Sequence, residues 1–188
     1  MIYLASTSPR RRKILKEMKV AFRALSPDYE EKGFSHSSPS RTVKDHALCK
    51  ARSVAGKISE GIVIGCDTIV YFKKKIIGKP KNLKDAFRIL GMLQGRRHSV
   101  YTGVAALCVK RSKIIKKIVF FEKTDVYLKK MGRKEIAGYF HKINPLDKAG
   151  AYAIQSRKHG IVAKVKGSFL NAVGLPAEHL SRLLLKFR

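Results

Sequence analysis

The chain has 188 residues, of which 45% are hydrophobic, so it is long enough to bury a substantial core. Its 41 lysines and arginines outnumber its 13 aspartates and glutamates and give a formal net charge of +28, which attracts polyanions but says little about the fold. The sequence has no apolar run of the ~20 residues that a membrane helix needs, and its start does not have the charge and apolar pattern of a signal peptide. Its three scattered cysteines show no disulfide or zinc pattern. These features predict a soluble, cytoplasmic protein with no membrane partner.

The first part of the chain alternates between strand and helix patterns. A short apolar strand is predicted at 2–5, and Ser8 followed by Pro9 marks the start of a helix, because serine caps helices and proline is favoured at their first position. The elements predicted next are a strand at 21–25, a polar loop at 26–40, a helix at 42–55, a strand run at 61–72 with a break at 65–68, and a turn into a short strand at 73–80.

The second part begins with a helix that Asn82 can cap. Two long strand runs, 98–109 and 114–128, follow on either side of a short basic turn and predict an antiparallel hairpin, so the sheet should be mixed. The remaining predictions are a helix near 133–142, strand character at 150–155 and 160–169, and a terminal helix at 177–187. We therefore expect one α/β domain over residues 1–188, a mixed twisted sheet with flanking helices and two lobes around a central cleft.

Asp67 is the most informative acidic residue. It lies in the apolar run IVIGCDTIVYF, with no charged neighbour between Glu60 and Lys73, and a carboxylate in such a run is costly unless it is paired or binds a metal. One interpretation is a cap on a tight turn after Gly65. The other is a metal ligand or water-activating base, and Mg²⁺ suits it because that ion takes few carboxylates and fills its other positions with water and phosphate oxygens.

A second group of acids, Asp28, Glu30 and Glu31, lies in the polar loop. Such a loop is often simply solvated. Close to Asp67, it could instead supply a second contact to a metal or a water.

Basic and hydroxyl side chains concentrate where the first strand gives way to the first helix. Ser6, Ser8, Arg10 and Arg11 lie at this junction, where free backbone N–H groups and the positive end of the helix dipole favour an anion. Arginines in a first helical turn oppose that dipole, and a bound polyphosphate would remove the penalty. Lys50 and Lys79 are further candidates that charge alone cannot select, and no Walker A, G-x-G-x-x-G or G-x-S-x-G motif is present.

Six motifs resemble, in order and over nearly the whole chain, those of the Maf family of nucleoside triphosphate pyrophosphatases. They are LASTSPRR (4–11), GCDTIV (65–70), GKP (78–80), YTGVAAL (101–107), DKAGAYAIQ (147–155) and GSFLNAVGLP (167–176). The resemblance implies a fold like that of inosine triphosphate pyrophosphatases, hydrolysis of a nucleotide to its monophosphate and pyrophosphate, and a homodimer. It also implies roles in restraining septum formation and in removing non-standard or surplus nucleotides.

The resemblance also assigns roles to individual positions. Asp67 matches the catalytic acid–base residue, and one of Glu30 and Glu31 matches the acidic loop residue, with Mg²⁺ or Mn²⁺ as the expected cofactor on these carboxylates. The positions that match substrate-binding or charge-neutralising residues of the family are Ser6, Ser8, Arg10, Arg11, Lys50 and Lys79. Thr68 and Gln155 resemble the subgroup that acts on dTTP and UTP, and a glutamine amide suits the adjacent N3–H and carbonyl of uracil or thymine.

Two alternatives stay open at this point. A related pyrophosphatase could prefer a purine nucleotide or 7-methyl-GTP. A basic nucleic-acid-binding protein without turnover would also account for the +28 charge, and it predicts an affinity that falls steeply with salt.

Overall fold

The computed structural model describes residues 1–30, 38–155 and 160–187. The helices are α1 (Pro9–Glu17), α2 (Pro39–Ala55), α3 (Leu83–Leu93), α4 (Arg133–Phe140), α5 (Phe169–Val173) and α6 (Ala177–Leu185). The strands are β1 (Ile2–Ala5), β2 (Phe22–Leu25), β3 (Gly61–Phe72), β4 (Lys75–Ile77), β5 (Arg97–Lys110), β6 (Lys113–Leu128) and β7 (Val162–Lys166). Among these residues, no helix combines the length and the apolar character needed to cross a membrane.

The described strands form one seven-stranded sheet in the order β2-β1-β3-β5-β6-β7, with β4 paired to β3 outside this path. The pairs of β1 with β2 and with β3 are parallel, and the other pairs are antiparallel. The predicted mixed sheet with flanking helices is therefore confirmed, including the β5–β6 hairpin.

Helix α2 lies directly on the sheet because glycines face it. A Cβ atom on Gly65 would come within 2.2 Å of the Ala47 carbonyl oxygen, and one on Gly103 within 2.2 Å of the Val43 carbonyl oxygen. Real side chains cannot tolerate such distances, so glycine at both positions lets the helix approach β3 and β5 closely. This approach brings Lys50 of α2 to the strand that carries Asp67.

The apolar core has three clusters of buried side chains. One lies beneath α2, and a second beneath α1 and α6, where Leu15 and Leu180 are fully buried. The third joins α3 and α4 to the far half of the sheet and includes Leu90 and Val126. Burial of these helix faces against the sheet is the main favourable contribution to folding.

Three local predictions were wrong. Strand β3 runs without a break through 65–68, because Lys50 compensates the buried carboxylate and α2 covers Gly65. Residues 150–155 do not form a strand. Gly150 instead has a φ of +76°, inside a single 3₁₀ turn (Ala149–Ala151), and its N–H donates to the Gly78 carbonyl. The segment at 160–169 contributes a shorter strand than predicted, followed by the unpredicted helix α5.

Candidate active site

A cavity of about 420 Å³ opens where β1, β3 and the end of α5 meet the segment around residue 150. Its lining includes the continuous stretches 5–11, 67–70, 78–79, 147–149 and 172–174. These stretches come from five parts of the chain, so the cavity exists only once the sheet and its helices are assembled.

Most of the predicted site residues line this one cavity. They are Ser6, Ser8, Arg10, Arg11, Lys50, Asp67, Thr68, Lys79 and Gln155. Glu30 is exposed and does not belong to the lining, and Glu31 lies outside the described residues. The cavity therefore brings the N-terminal motif and the DKAGAYAIQ motif together. The role of the acidic loop residue stays a prediction.

Asp67 and Lys50 form a buried ion pair at one wall of the cavity. The Lys50 Nζ donates to Asp67 Oδ1 over 2.6 Å, and the two residues are 8% and 5% exposed. A buried charge needs a partner of opposite sign, and each of these residues supplies it for the other. The pair also holds the carboxylate in a defined orientation toward the cavity that both residues line.

Arg11 is held by three hydrogen bonds to the protein. Its Nε donates to the Gly174 carbonyl over 2.9 Å, its Nη1 to Ser6 Oγ over 3.1 Å and its Nη2 to Thr68 Oγ1 over 3.1 Å. A guanidinium has five N–H donors, so this arrangement leaves others for a ligand. The predicted helix start at Ser8 and Pro9 is confirmed, and it places this arginine in the first turns of α1.

Arg10 contacts Asp147, another residue of the cavity lining and one that sequence reasoning missed. Its Nη1 donates to Asp147 Oδ2 over 2.9 Å and its Nη2 to the Asp147 carbonyl over 3.1 Å. Partial burial raises the pKa of Asp147, but hydrogen bonds from Lys148 and Arg10 outweigh that effect and hold it below its usual range. The only sequence signal for Asp147 is its place at the start of the DKAGAYAIQ motif.

Part of the cavity wall is apolar and belongs to one cluster of the core. Val70, Val100 and Ile154 line it together with Tyr152, whose hydroxyl lies 2.7 Å from His98 Nε2. Burial lowers the pKa of His98 to about 4, so its imidazole is neutral near pH 7. Burial also raises the pKa of Tyr152. Tyr152 lies in the DKAGAYAIQ motif, but no sequence pattern pointed to His98 or to the contact between the two residues.

The donor set of the cavity suits a magnesium ion that is bound together with phosphates. Asp67 and Asp147 are the carboxylates that line it, and no cluster of three or more His, Cys, Asp or Glu side chains exists among the described residues. Mg²⁺ is usually held by one or two carboxylates plus substrate phosphates and water. Asp67, whose Oδ1 accepts from Lys50, is the residue that would hold the ion.

The fold and this cavity define an α/β protein with a cation-lined cleft, and similar folds occur in solved structures. A HAM1 protein from Coxiella burnetii is 15% identical, with a TM-score of 0.52 and 98% of each chain covered. The Ham1 protein of Staphylococcus aureus is 16% identical, with a TM-score of 0.50, and 98% of this chain and 97% of that one are covered. At such identities the likeness concerns the fold alone.

The sequence comparisons are more specific. The family profile described as Maf-like protein matches residues 1–187, and this chain belongs to that family. A protein of Thermoanaerobacter sp. (strain X514) named dTTP/UTP pyrophosphatase is 45% identical over 97% of this chain and 94% of its own length. Proteins of the same name from Dictyoglomus thermophilum and Bacillus cereus (strain B4264) are 42% and 40% identical, over 97% and 99% of this chain and 94% and 95% of their own lengths. The family resemblance predicted from the six motifs is thereby confirmed.

Proposed function

We propose that this protein hydrolyses dTTP and UTP to the nucleoside monophosphate and pyrophosphate. The observation that carries the proposal is the shared cavity, in which the buried Asp67 lies with Arg10, Arg11 and Lys79. A buried carboxylate close to several cations suits a reaction in which a water attacks a highly charged triphosphate. The relatives named dTTP/UTP pyrophosphatase cover nearly the whole chain and support the same activity.

In this proposal Asp67 orients the attacking water and accepts its proton, while Lys50 holds the carboxylate in place. The water attacks the α-phosphorus, the bond from that phosphorus to the bridging oxygen breaks, and pyrophosphate leaves. Arg10, Arg11 and Lys79 neutralise the charge that grows on the leaving group. A Mg²⁺ on Asp67, helped by Glu30 or Glu31, would supply further neutralisation of the phosphates.

The apolar part of the cavity wall suits the nucleobase. Val70, Val100 and Tyr152 offer a dry surface to a flat ring, and Gln155 lies at the same cavity. The amide of Gln155 can donate to a carbonyl and accept from N3–H, which are adjacent on uracil and thymine. Because both bases present these groups identically, the proposal covers both nucleotides.

A panel assay tests the activity. Purified protein is incubated with UTP, dTTP, GTP, ITP and 7-methyl-GTP and with Mg²⁺ or Mn²⁺ in ¹⁸O-labelled water, and the products are identified by mass spectrometry. We expect pyrophosphate from UTP and dTTP, with the label in the monophosphate. Orthophosphate as the first product, or label in pyrophosphate, would contradict attack at the α-phosphorus. Salt-sensitive binding of nucleic acid without any turnover would favour the alternative class.

Asp67→Asn tests the assigned residue. General-base catalysis typically contributes 10²–10⁴-fold, so we expect turnover to fall by roughly that factor while the fold persists. Asp125→Asn is a matched control, because Asp125 is a half-buried strand aspartate outside the cavity lining.

The homodimer, the single domain, the cytoplasmic location and the role in septum formation stay predictions from the sequence.

A further inference from the structure

Behind Arg11 runs a chain of hydrogen bonds that leads away from the cavity into the core. Arg11 Nη2 contacts Thr68 Oγ1 at 3.1 Å, Thr68 Oγ1 contacts Thr102 Oγ1 at 3.0 Å, and Thr102 Oγ1 contacts the Asn171 carbonyl oxygen at 2.9 Å. Thr68 and Thr102 are register partners on β3 and β5, which places their side chains on the same face of the sheet. Thr102 does not line the cavity.

Each donor in this chain can be identified. A carbonyl oxygen only accepts, so the single proton of the Thr102 hydroxyl is directed to Asn171. Thr102 must therefore accept from Thr68, and the Thr68 proton is used in that bond. A guanidinium only donates, so Arg11 donates to Thr68. The hydrogen bonds consequently run in one direction, from Arg11 to Asn171.

The far end of the chain is rigidly held. Asn171 is fully buried in α5, and its side-chain Nδ2 donates to Thr124 Oγ1 over 2.9 Å. Thr124 in turn donates to the Ser168 carbonyl at the start of the same helix. Gly174, which follows α5, accepts the Nε–H of Arg11. Helix α5 thus fixes the guanidinium directly through Gly174 and indirectly through the two threonines.

We infer that Thr102 is a positioning residue for Arg11, and that Thr68 presents to a ligand a lone pair but no proton. This inference rests on the proposed function in assigning Arg11 to the phosphates. With its proton directed to Thr102, Thr68 cannot donate to a phosphate or to a base carbonyl oxygen. Its hydroxyl serves the guanidinium, and Thr102 and Asn171 keep that hydroxyl turned the right way. A threonine that follows the catalytic aspartate therefore acts on the substrate mainly through Arg11.

The affinity for magnesium pyrophosphate tests the inference, and it can be measured by titration calorimetry without any turnover. Thr102→Val keeps the shape of the buried side chain and removes both ends of its hydrogen bonding. We expect it to weaken pyrophosphate binding about tenfold, the effect of losing one hydrogen bond that orients a charged group. Thr102→Ser retains the hydroxyl and is expected to bind within about twofold of the parent protein.

Thr124→Val is the matched control. Thr124 is as fully buried as Thr102 and also donates to a backbone carbonyl of the α5 region, but it lies outside the chain to Arg11. If merely loosening α5 were responsible, the two valine variants would lose the same affinity, and the inference would be wrong. It would also be overturned if Thr102→Val bound pyrophosphate normally. Should Thr102→Val not fold, Thr102→Ala removes the same hydroxyl and is judged by the same outcomes.

A double-mutant cycle identifies the route. In an Arg11→Lys background the hydrogen-bond chain no longer has a guanidinium to position. Adding Thr102→Val should therefore cause no further loss of pyrophosphate affinity. Additive losses would overturn the inference. Because binding is measured with pyrophosphate itself, a protein that binds it through this chain but does not hydrolyse UTP would refute the proposed function and leave the positioning role standing.

Discussion

Removing the lysine of the buried Lys50–Asp67 pair should destabilise the protein by an amount that the geometry predicts. The partners lie 2.6 Å apart, and their side chains are 10% and 7% exposed. Lys50→Met keeps most of the aliphatic stem but leaves the carboxylate without its partner, and breaking such a pair costs about 3–5 kcal/mol. For a chain of this length we expect the melting temperature to fall by roughly 6–20 °C.

The free energy of unfolding is measured by urea titration without nucleotide, followed by far-ultraviolet circular dichroism because the chain has no tryptophan. Lys50→Met/Asp67→Leu removes both charges and should recover most of the loss, since apolar replacement of a whole buried pair is close to neutral. The Arg88–Asp85 pair is matched in distance at 2.7 Å, but the Arg88 side chain is 67% exposed, so Arg88→Met should cost no more than about 1 kcal/mol. A Lys50→Met variant as stable as Arg88→Met, or a double variant no better than the single one, would refute the reasoning.

Three further outcomes can be checked by the same unfolding measurements. Burial lowers the pKa of His98 to about 4, so protonation favours the unfolded chain, and the free energy of unfolding should fall by about 3 kcal/mol as the pH drops from 6.5 to 4. His98→Phe should flatten this pH dependence, and an unchanged dependence would exclude His98 as its source. Gly103→Ala places a Cβ atom 2.2 Å from the Val43 carbonyl oxygen and should lower the free energy of unfolding by more than about 3 kcal/mol. Gly91→Ala in α3, where a Cβ atom would have nothing within 4 Å, should raise it by roughly 0.5–1 kcal/mol, and equal effects would contradict the close helix–sheet approach. Asn82→Ala removes the acceptor of the Asp85 N–H at the start of α3 and should cost about 1 kcal/mol, and no loss would mean that this cap is dispensable.

Local signals were predictable where neighbouring residues decide the structure. The start of α1 at Ser8 and Pro9 follows from the backbone preferences of those two residues, and the β5–β6 hairpin follows from two long apolar runs around a short turn. The predicted break at 65–68 is wrong, because the buried Asp67 carboxylate has a partner that no neighbouring residue supplies. Its partner, Lys50, is seventeen positions earlier and comes from a helix on the sheet face.

The same division holds within the candidate site. Asp67 could be singled out because a carboxylate in an apolar strand is costly, and that argument needs only its neighbours. Lys50 could not be selected by charge among 41 cations, and Asp147 and the pair of His98 and Tyr152 showed no spacing that marks a site. Their roles depend on contacts between distant segments.

By itself the sequence determined the alternation of strands and helices, the acid in an apolar run and the cationic start of α1, because periodicity, capping and desolvation act over a few residues. Tertiary structure alone decided which lysine pairs with Asp67 and where Arg11 points. Arg11 donates to Gly174, 163 positions away, and its second anchor passes through Thr68 and Thr102 on neighbouring strands. Hydrogen bonds of this kind depend on directions and distances that exist only after α5 has packed on the sheet, so no local pattern encodes them.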